Sequence, residues 1–202
     1  MDGLVERKKK EIRDKIIATA GELFKRQGFD NTTMDQIASE AVVARKTLYN
    51  YFTVKEAIAD EYVRSTSKGK AEEMSERLLN LPDTRSRLIA AINNRYDWLE
   101  MNPDLCRIVL MYRIKTFLQD SFQEFEATGT QKLIIDILCL GQETGEIGAD
   151  IPIKLLFSYI DQLRTVAVLD WLNGNSRVDL REQTARLVDL VLYGACAKAK
   201  EQ

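Results

Sequence analysis

The sequence predicts an all-α protein. Apolar residues recur at helical spacing along most of its 202 residues, and only three prolines and ten glycines interrupt them. The many short, evenly spaced turns that a β-sandwich or barrel needs are missing. About nine helices account for the pattern, and no segment reads as a strand.

The first helix carries Ile12, Ile16, Ala20, Leu23 and Phe24 on one face, and Gly28 follows where a C-terminal cap belongs. Thr33 and Gln36 make a capping box that opens a second helix, Met34 to Ala41, with Ile37, Ala38 and Ala41 on its apolar side. After a turn at Val42-Val43, a third helix runs from Ala44 to Tyr51. Thr53 and Glu56 form a further capping box ahead of a much longer fourth helix. Long amphipathic segments follow, broken near Leu81-Pro82-Asp83, Asn102-Pro103-Asp104, Gly145 to Pro152 and Asn173-Gly174-Asn175. Asn102 before Pro103 suits a cap followed by a first-turn proline, and Asp179 with Glu182 starts the last helix.

Composition narrows the function. Histidine is absent, which excludes Ser-His, Cys-His and His-ligated metal chemistry from this chain alone. Cys106, Cys139 and Cys196 are odd in number and widely spaced, as expected of free thiols in a reducing compartment. No apolar leader and no window long enough to span a bilayer is present, so a cytoplasmic protein without membrane contact is expected. No phosphate loop, nucleophile motif or carboxylate cluster marks a catalytic site, and no cofactor or metal is expected.

The overall charge of −2 conceals a polarised chain. Residues 1–55 carry a net +3 and residues 56–202 a net −5. The boundary near residue 55 separates three short helices from the long ones. Two short helices joined by a tight turn make a helix-turn-helix, whose second helix can enter the major groove of DNA. Here that helix holds Arg45-Lys46-Thr47-Leu48-Tyr49-Asn50-Tyr51-Phe52. Leu48 and Phe52, four apart, should anchor it, which leaves Arg45, Lys46, Thr47, Tyr49, Asn50 and Tyr51 largely outside. Arginine and asparagine read guanine and adenine bidentately, while hydroxyls and lysines suit phosphates.

The stretch GFDNTTMDQIASEAVVARKTLYNYFTVKEAI, Gly28 to Ile58, resembles the helix-turn-helix region of the tetracycline-repressor (TetR) family of bacterial transcription regulators. GF, TT, IA, TLY-x-YF and KE recur in order. Gly141 to Ile147 (GQETGEI) also looks like a common turn of that family. The resemblance implies a helix-turn-helix DNA-binding domain over 1–55 and a helical ligand-binding and dimerisation domain over 56–202. It implies that Thr33 caps the second helix and touches a phosphate, that Arg45, Lys46 and Thr47 face bases or nearby backbone, and that Tyr49, Tyr51 and Lys55 bind phosphates. Asn50 joins them on the outer face, and the basic run Arg7-Lys8-Lys9-Lys10 either flanks the duplex or is a solvated helix end. The usual turn, Ala-Gly-Val-Ser, is here Ala41-Val42-Val43-Ala44. Valine is strained where glycine adopts positive φ, and alanine cannot cap the third helix, so a re-routed or looser turn is expected.

In the body, Tyr96, Trp98, Met101, Met111, Tyr112, Phe117, Phe122 and Phe125 concentrate ring and thioether side chains, material for an apolar effector pocket or for an ordinary core. Asp136 and the pair Asp161 and Arg164 are polar oddities within apolar runs. Leu155 to Leu172 is apolar nearly all round, with Leu156, Tyr159, Ile160, Leu163, Ala167 and Trp171 on one stripe and Leu155, Val166, Leu169 and Leu172 on another. Leu187, Val188, Val191 and Ala195 continue the theme. The resemblance implies a homodimer built on Leu156, Tyr159, Ile160, Leu163, Ala167, Leu187, Val188, Val191 and Ala195, although burial within one chain explains them equally well. A repressor that holds a palindromic operator as a homodimer and is released by a small-molecule effector is the expected function. The alternative is a small helical enzyme or carrier without specific DNA binding.

Overall fold

The computed structural model describes residues 2–119, 129–174 and 178–195, and their side chains except at 2–3, 70–72 and 117–119. Among the described residues there are ten helices and no strand. They are α1 (Asp2–Gln27), α2 (Met34–Glu40), α3 (Arg45–Tyr51), α4 (Lys55–Leu79), α5 (Thr84–Asn93), α6 (Tyr96–Met101), α7 (Pro103–Gln119), α8 (Gly129–Glu143), α9 (Ile153–Leu172) and α10 (Leu180–Tyr193). One more helix is present than the periodicity suggests, because the chain breaks at Asn94 and Arg95, where no proline or glycine announces it. Asp83 and Asp179 cap α5 and α10 through Ser86 N–H (2.7 Å) and Arg181 N–H (2.8 Å), satisfying donors that a helix leaves open at its start.

The chain forms two compact units, Met1–Thr66 with Asp104–Glu124, and Ser67–Pro103 with Phe125–Gln202. The first therefore extends the three short helices to include the start of α4 and α7 from Asp104 onward. Its core is Ile16, Ala20, Leu23, Ile37, Leu48, Ile58 and Ala59, all fully buried. Phe24 adds rings on both sides, 5.3 Å from Phe29 and 6.4 Å from Tyr62. Gly21 lets the Tyr62 ring lie directly against the backbone of α1. A Cβ there would fall on that ring.

The second unit packs α9 on α10, α8 on α5 and α9, and α5 on α10. Leu88, Ile134, Leu138, Ile160, Leu180 and Val188 fill it, with the Tyr96 ring among the largest buried side chains. The buried Tyr96 hydroxyl shares a 2.7 Å hydrogen bond with Thr184 Oγ1, so no polar group is stranded there. Burial raises the Tyr96 pKa above the usual tyrosine range, and the Thr184 bond offsets this only in part. On the rim, Arg85 grips Asp189 bidentately at 2.5 and 3.0 Å.

Gly21→Ala forces α1 away from Tyr62 and should cost about 1–3 kcal/mol, the usual range for overpacking a core. A lower urea midpoint at unchanged m-value is the expected outcome.

Candidate nucleic-acid interface

Thr33 starts α2 as its spacing predicts. Gln36 N–H donates to Thr33 Oγ1 at 3.2 Å, and Thr33 N–H donates to Gln36 Oε1 at 2.9 Å. The turn into α3 keeps the path that glycine would take. Val42 N–H reaches Ser39 O (3.1 Å) and Val43 N–H reaches Ala38 O (3.0 Å), the two bonds of a Schellman cap. That cap demands a left-handed residue, and Val42 adopts φ +53° with its side chain 80% exposed. The turn is closed and strained, neither re-routed nor loose. Ala44 then leads α3 without any side-chain cap.

Leu48 is fully buried and Phe52 nearly so, which orients α3. The Arg13 guanidinium covers the Phe52 ring at 5.6 Å. Arg45, Lys46, Tyr49 and Asn50 are exposed, while Thr47 and Tyr51 are half-buried. Thr33, also exposed, lies at the start of α2. The head thus presents these side chains from two short elements that share one core.

Two details were not legible in the sequence. Arg45 Nε lies 2.8 Å from Asp35 Oδ1, an exposed pair between α2 and α3. Such a pair is worth at most about 1 kcal/mol, so it orients the guanidinium without holding it back from a stronger acceptor. Lys55 turns inward. Its ammonium donates to Phe29 O (2.6 Å) and Thr32 O (2.7 Å) and sits 4.0 Å over the Phe29 ring. Burial pushes its pKa below the usual lysine range, with Glu56 and Asp30 opposing. Two of its three N–H bonds are committed to the turn before α2, which leaves one for a phosphate. The run Arg7 to Lys10 lies exposed on α1, with Arg7 near Glu11 (3.6 Å) and Lys9 on Glu6 (2.8 Å).

Of the expected effector residues, Tyr96, Trp98 and Met101 belong to the second unit, and Met111, Tyr112 and Phe117 to the first. Tyr96 is consumed by the core, and Trp98 is half-buried with the Arg95 guanidinium 5.0 Å from its ring. Met101 is 82% and Met111 55% exposed. Tyr112 is half-buried. Phe117 lies on α7 with its side chain outside the described set, and Phe122 and Phe125 lie outside the described residues, as does Cys196. Asp136 faces solvent, while Asp161 and Arg164 pair with each other at 2.7 Å.

The residues expected at the dimer face divide by burial. Leu156, Ile160, Ala167, Leu187 and Val188 are buried in the chain's own core. Leu163 and Val191 are half-buried, and Ala195 lies past the end of α10, which Gly194 closes at φ +75°. The outward apolar face is Leu155, Tyr159, Val166, Leu190 and Tyr193, each at least 41% exposed. Between α9 and α10 it holds a groove of about 260 Å³, lined by Leu163, Val166, Ala167, Leu187 and Leu190 and edged by Asp170, Gln183 and Arg186. A helix apolar on two sides offers two candidate faces, and periodicity cannot say which one turns inward.

Residues 16–62 match the family model for bacterial regulatory proteins of the tetR family. Over 189 residues the chain is 24% identical to the HTH-type transcriptional repressor KstR2 of Rhodococcus jostii (strain RHA1), covering 90% of each chain. Over 185 residues it is 24% identical to the fatty acid metabolism regulator protein of Bacillus subtilis (strain 168), covering 89% of this chain and 93% of that one. Among solved structures it is similar to Thermus thermophilus FadR, a TetR-family repressor in complex with lauroyl-CoA. The TM-score is 0.75 at 25% identity, over 94% of this chain and 98% of that one.

Val42→Gly removes left-handed strain of about 1–3 kcal/mol and adds about 0.5–1 kcal/mol of chain entropy, so a net gain near 1 kcal/mol is expected. Ala44→Ser supplies the missing cap, worth about 0.5–2 kcal/mol. Both variants should melt at higher temperature than the parent in circular dichroism.

Proposed function

Because the chain belongs to the TetR family of bacterial regulatory proteins, we propose that it represses transcription by holding a palindromic operator as a homodimer, and that a fatty acyl-coenzyme A releases it. The observation that carries the DNA reading is α3. Its apolar residue Leu48 is buried, while Arg45, Lys46, Tyr49 and Asn50 stand outward from a head of net charge +3. Arg45 reads a base edge. Lys46 and Thr47 lie at the start of α3, facing bases or nearby backbone. Asn50 stands on the same outer face, and Thr33, Tyr49 and Tyr51 hold phosphates, with Lys55 adding its remaining N–H. The acidic remainder repels DNA and leaves the head as the face that approaches it.

One seven-residue helix reads only a few base pairs. Two related by a two-fold axis read half-sites about 34–36 Å apart. The outward face of α9 and α10 supports that pairing, since an isologous contact brings the same groove together from both copies. Leu155, Tyr159, Leu163, Val166, Leu190 and Tyr193 form the contact. The effector class rests on the Thermus repressor, alike over 94% of this chain and bound to lauroyl-CoA. Release requires that the ligand bind a DNA-incompetent state more tightly than the competent one. The alternative of a helical enzyme or carrier draws no support from relatives that regulate transcription.

Fluorescence anisotropy on a fragment upstream of its own gene tests these assignments. Tyr49→Phe should weaken cognate and random DNA alike. Arg45→Ala should cost about 1–3 kcal/mol on the cognate site only. Equal losses on both DNAs would remove Arg45 from base reading. Leu190→Glu should convert the dimer to monomer in sedimentation velocity and lower operator affinity with it.

A further inference from the structure

A carboxylate beside the recognition helix is out of place, since a negative charge there repels phosphate. Asp35 is such a group. It lies in the first turn of α2, and Arg45 is the first residue of α3. Arg45 Nε stands 2.8 Å from Asp35 Oδ1, with the two side chains 67% and 57% exposed. Capping does not require Asp35, because Thr33 and Gln36 already close the start of α2. Among the described residues neither Asp35 nor Arg45 has another hydrogen bond or ion pair. The carboxylate therefore occupies the Nε edge of the guanidinium, and both Nη nitrogens keep their N–H groups for an outside acceptor. An arginine can offer a fork from Nε with one Nη or a fork from its two Nη nitrogens. With Nε taken, the second remains. It matches guanine, whose O6 and N7 both accept, whereas adenine sets a donor beside its N7. The pair also restricts a long side chain in advance, so less freedom is lost when the base is met.

We infer that Asp35 is a specificity-determining residue: it holds Arg45 by the Nε edge, presents both Nη nitrogens to guanine and keeps them from the phosphates of other sequences. This role rests on the base reading proposed for Arg45 above. A bare repulsive charge would instead weaken every duplex alike, and a charge serving only the α2 dipole would act on stability. Base selection shows only in the difference between sequences.

Fluorescence anisotropy with the full chain compares a duplex that the parent protein selects from a random library, its single-base-pair variants and a shuffled duplex of equal length. Asp35→Asn should weaken the selected duplex by up to about fivefold, the range of one exposed ion pair. It should tighten the shuffled duplex and steepen its salt dependence by about one released counterion, as Arg45 moves to a phosphate. The base pair at which discrimination falls should be the one that Arg45→Ala relaxes. In the Arg45→Ala background, Asp35→Asn should no longer weaken the selected duplex. Both side chains are exposed, so the variants should fold as the parent does in circular dichroism. Asp35 loses this role if Asp35→Asn changes both duplexes by the same factor, or if its effect on the selected duplex persists without Arg45. If Arg45→Ala weakens selected and shuffled duplexes equally, the base reading of Arg45 falls. If Arg45→Ala relaxes one base pair and Asp35→Asn relaxes none, the base reading stands and the role of Asp35 falls.

Discussion

The recognition helix cannot exist alone. Seven residues make fewer than two turns, and isolated helices shorter than about 12–15 residues are marginal in water. What holds α3 in shape is the burial of Leu48 and Phe52 in a core shared with α1, α2 and the start of α4. Every outward side chain of α3 takes its direction from those two anchors. The long α1, which carries no base-reading residue, is thus as necessary to the interface as α3.

The same core tolerates local strain and puts polar groups to structural use. Val42 stays left-handed because two backbone bonds and the buried Ala41 close the turn around it. Lys55 ties the segment before α2 to the start of α4 through two carbonyls and the Phe29 ring. The positive charge at the start of α4 is a clamp on the head, because its stem is short of solvent and its nearest acceptors are backbone oxygens.

Polar residues inside the body follow the same logic of nearest partners. Tyr96 and Thr184 satisfy each other, and Asp161 pairs with Arg164 through Nη2, while Arg164 Nε is buried without a hydrogen-bond partner. Asp60 is shared by Arg64 and Arg113. Charge pattern along the chain hides this contact, since Arg113 lies 53 residues from Asp60.

The helical class, the capping box at Thr33 and the anchors Leu48 and Phe52 are all legible in the sequence alone. All of these arise from neighbours within a few residues, where spacing and backbone sterics are decisive. Also legible there is the polarity that turned an unpromising net charge of −2 into a basic head of +3 and an acidic remainder of −5. Which stripe of α9 and α10 turns inward, leaving Leu155, Val166 and Leu190 outside, follows from long-range packing. It alone divided the aromatic and methionine cluster between two units, exposed Met101 and Met111, and brought Arg113 to Asp60. The reason is physical: periodicity shows that a face is apolar, but what covers that face depends on contacts between residues far apart in the chain.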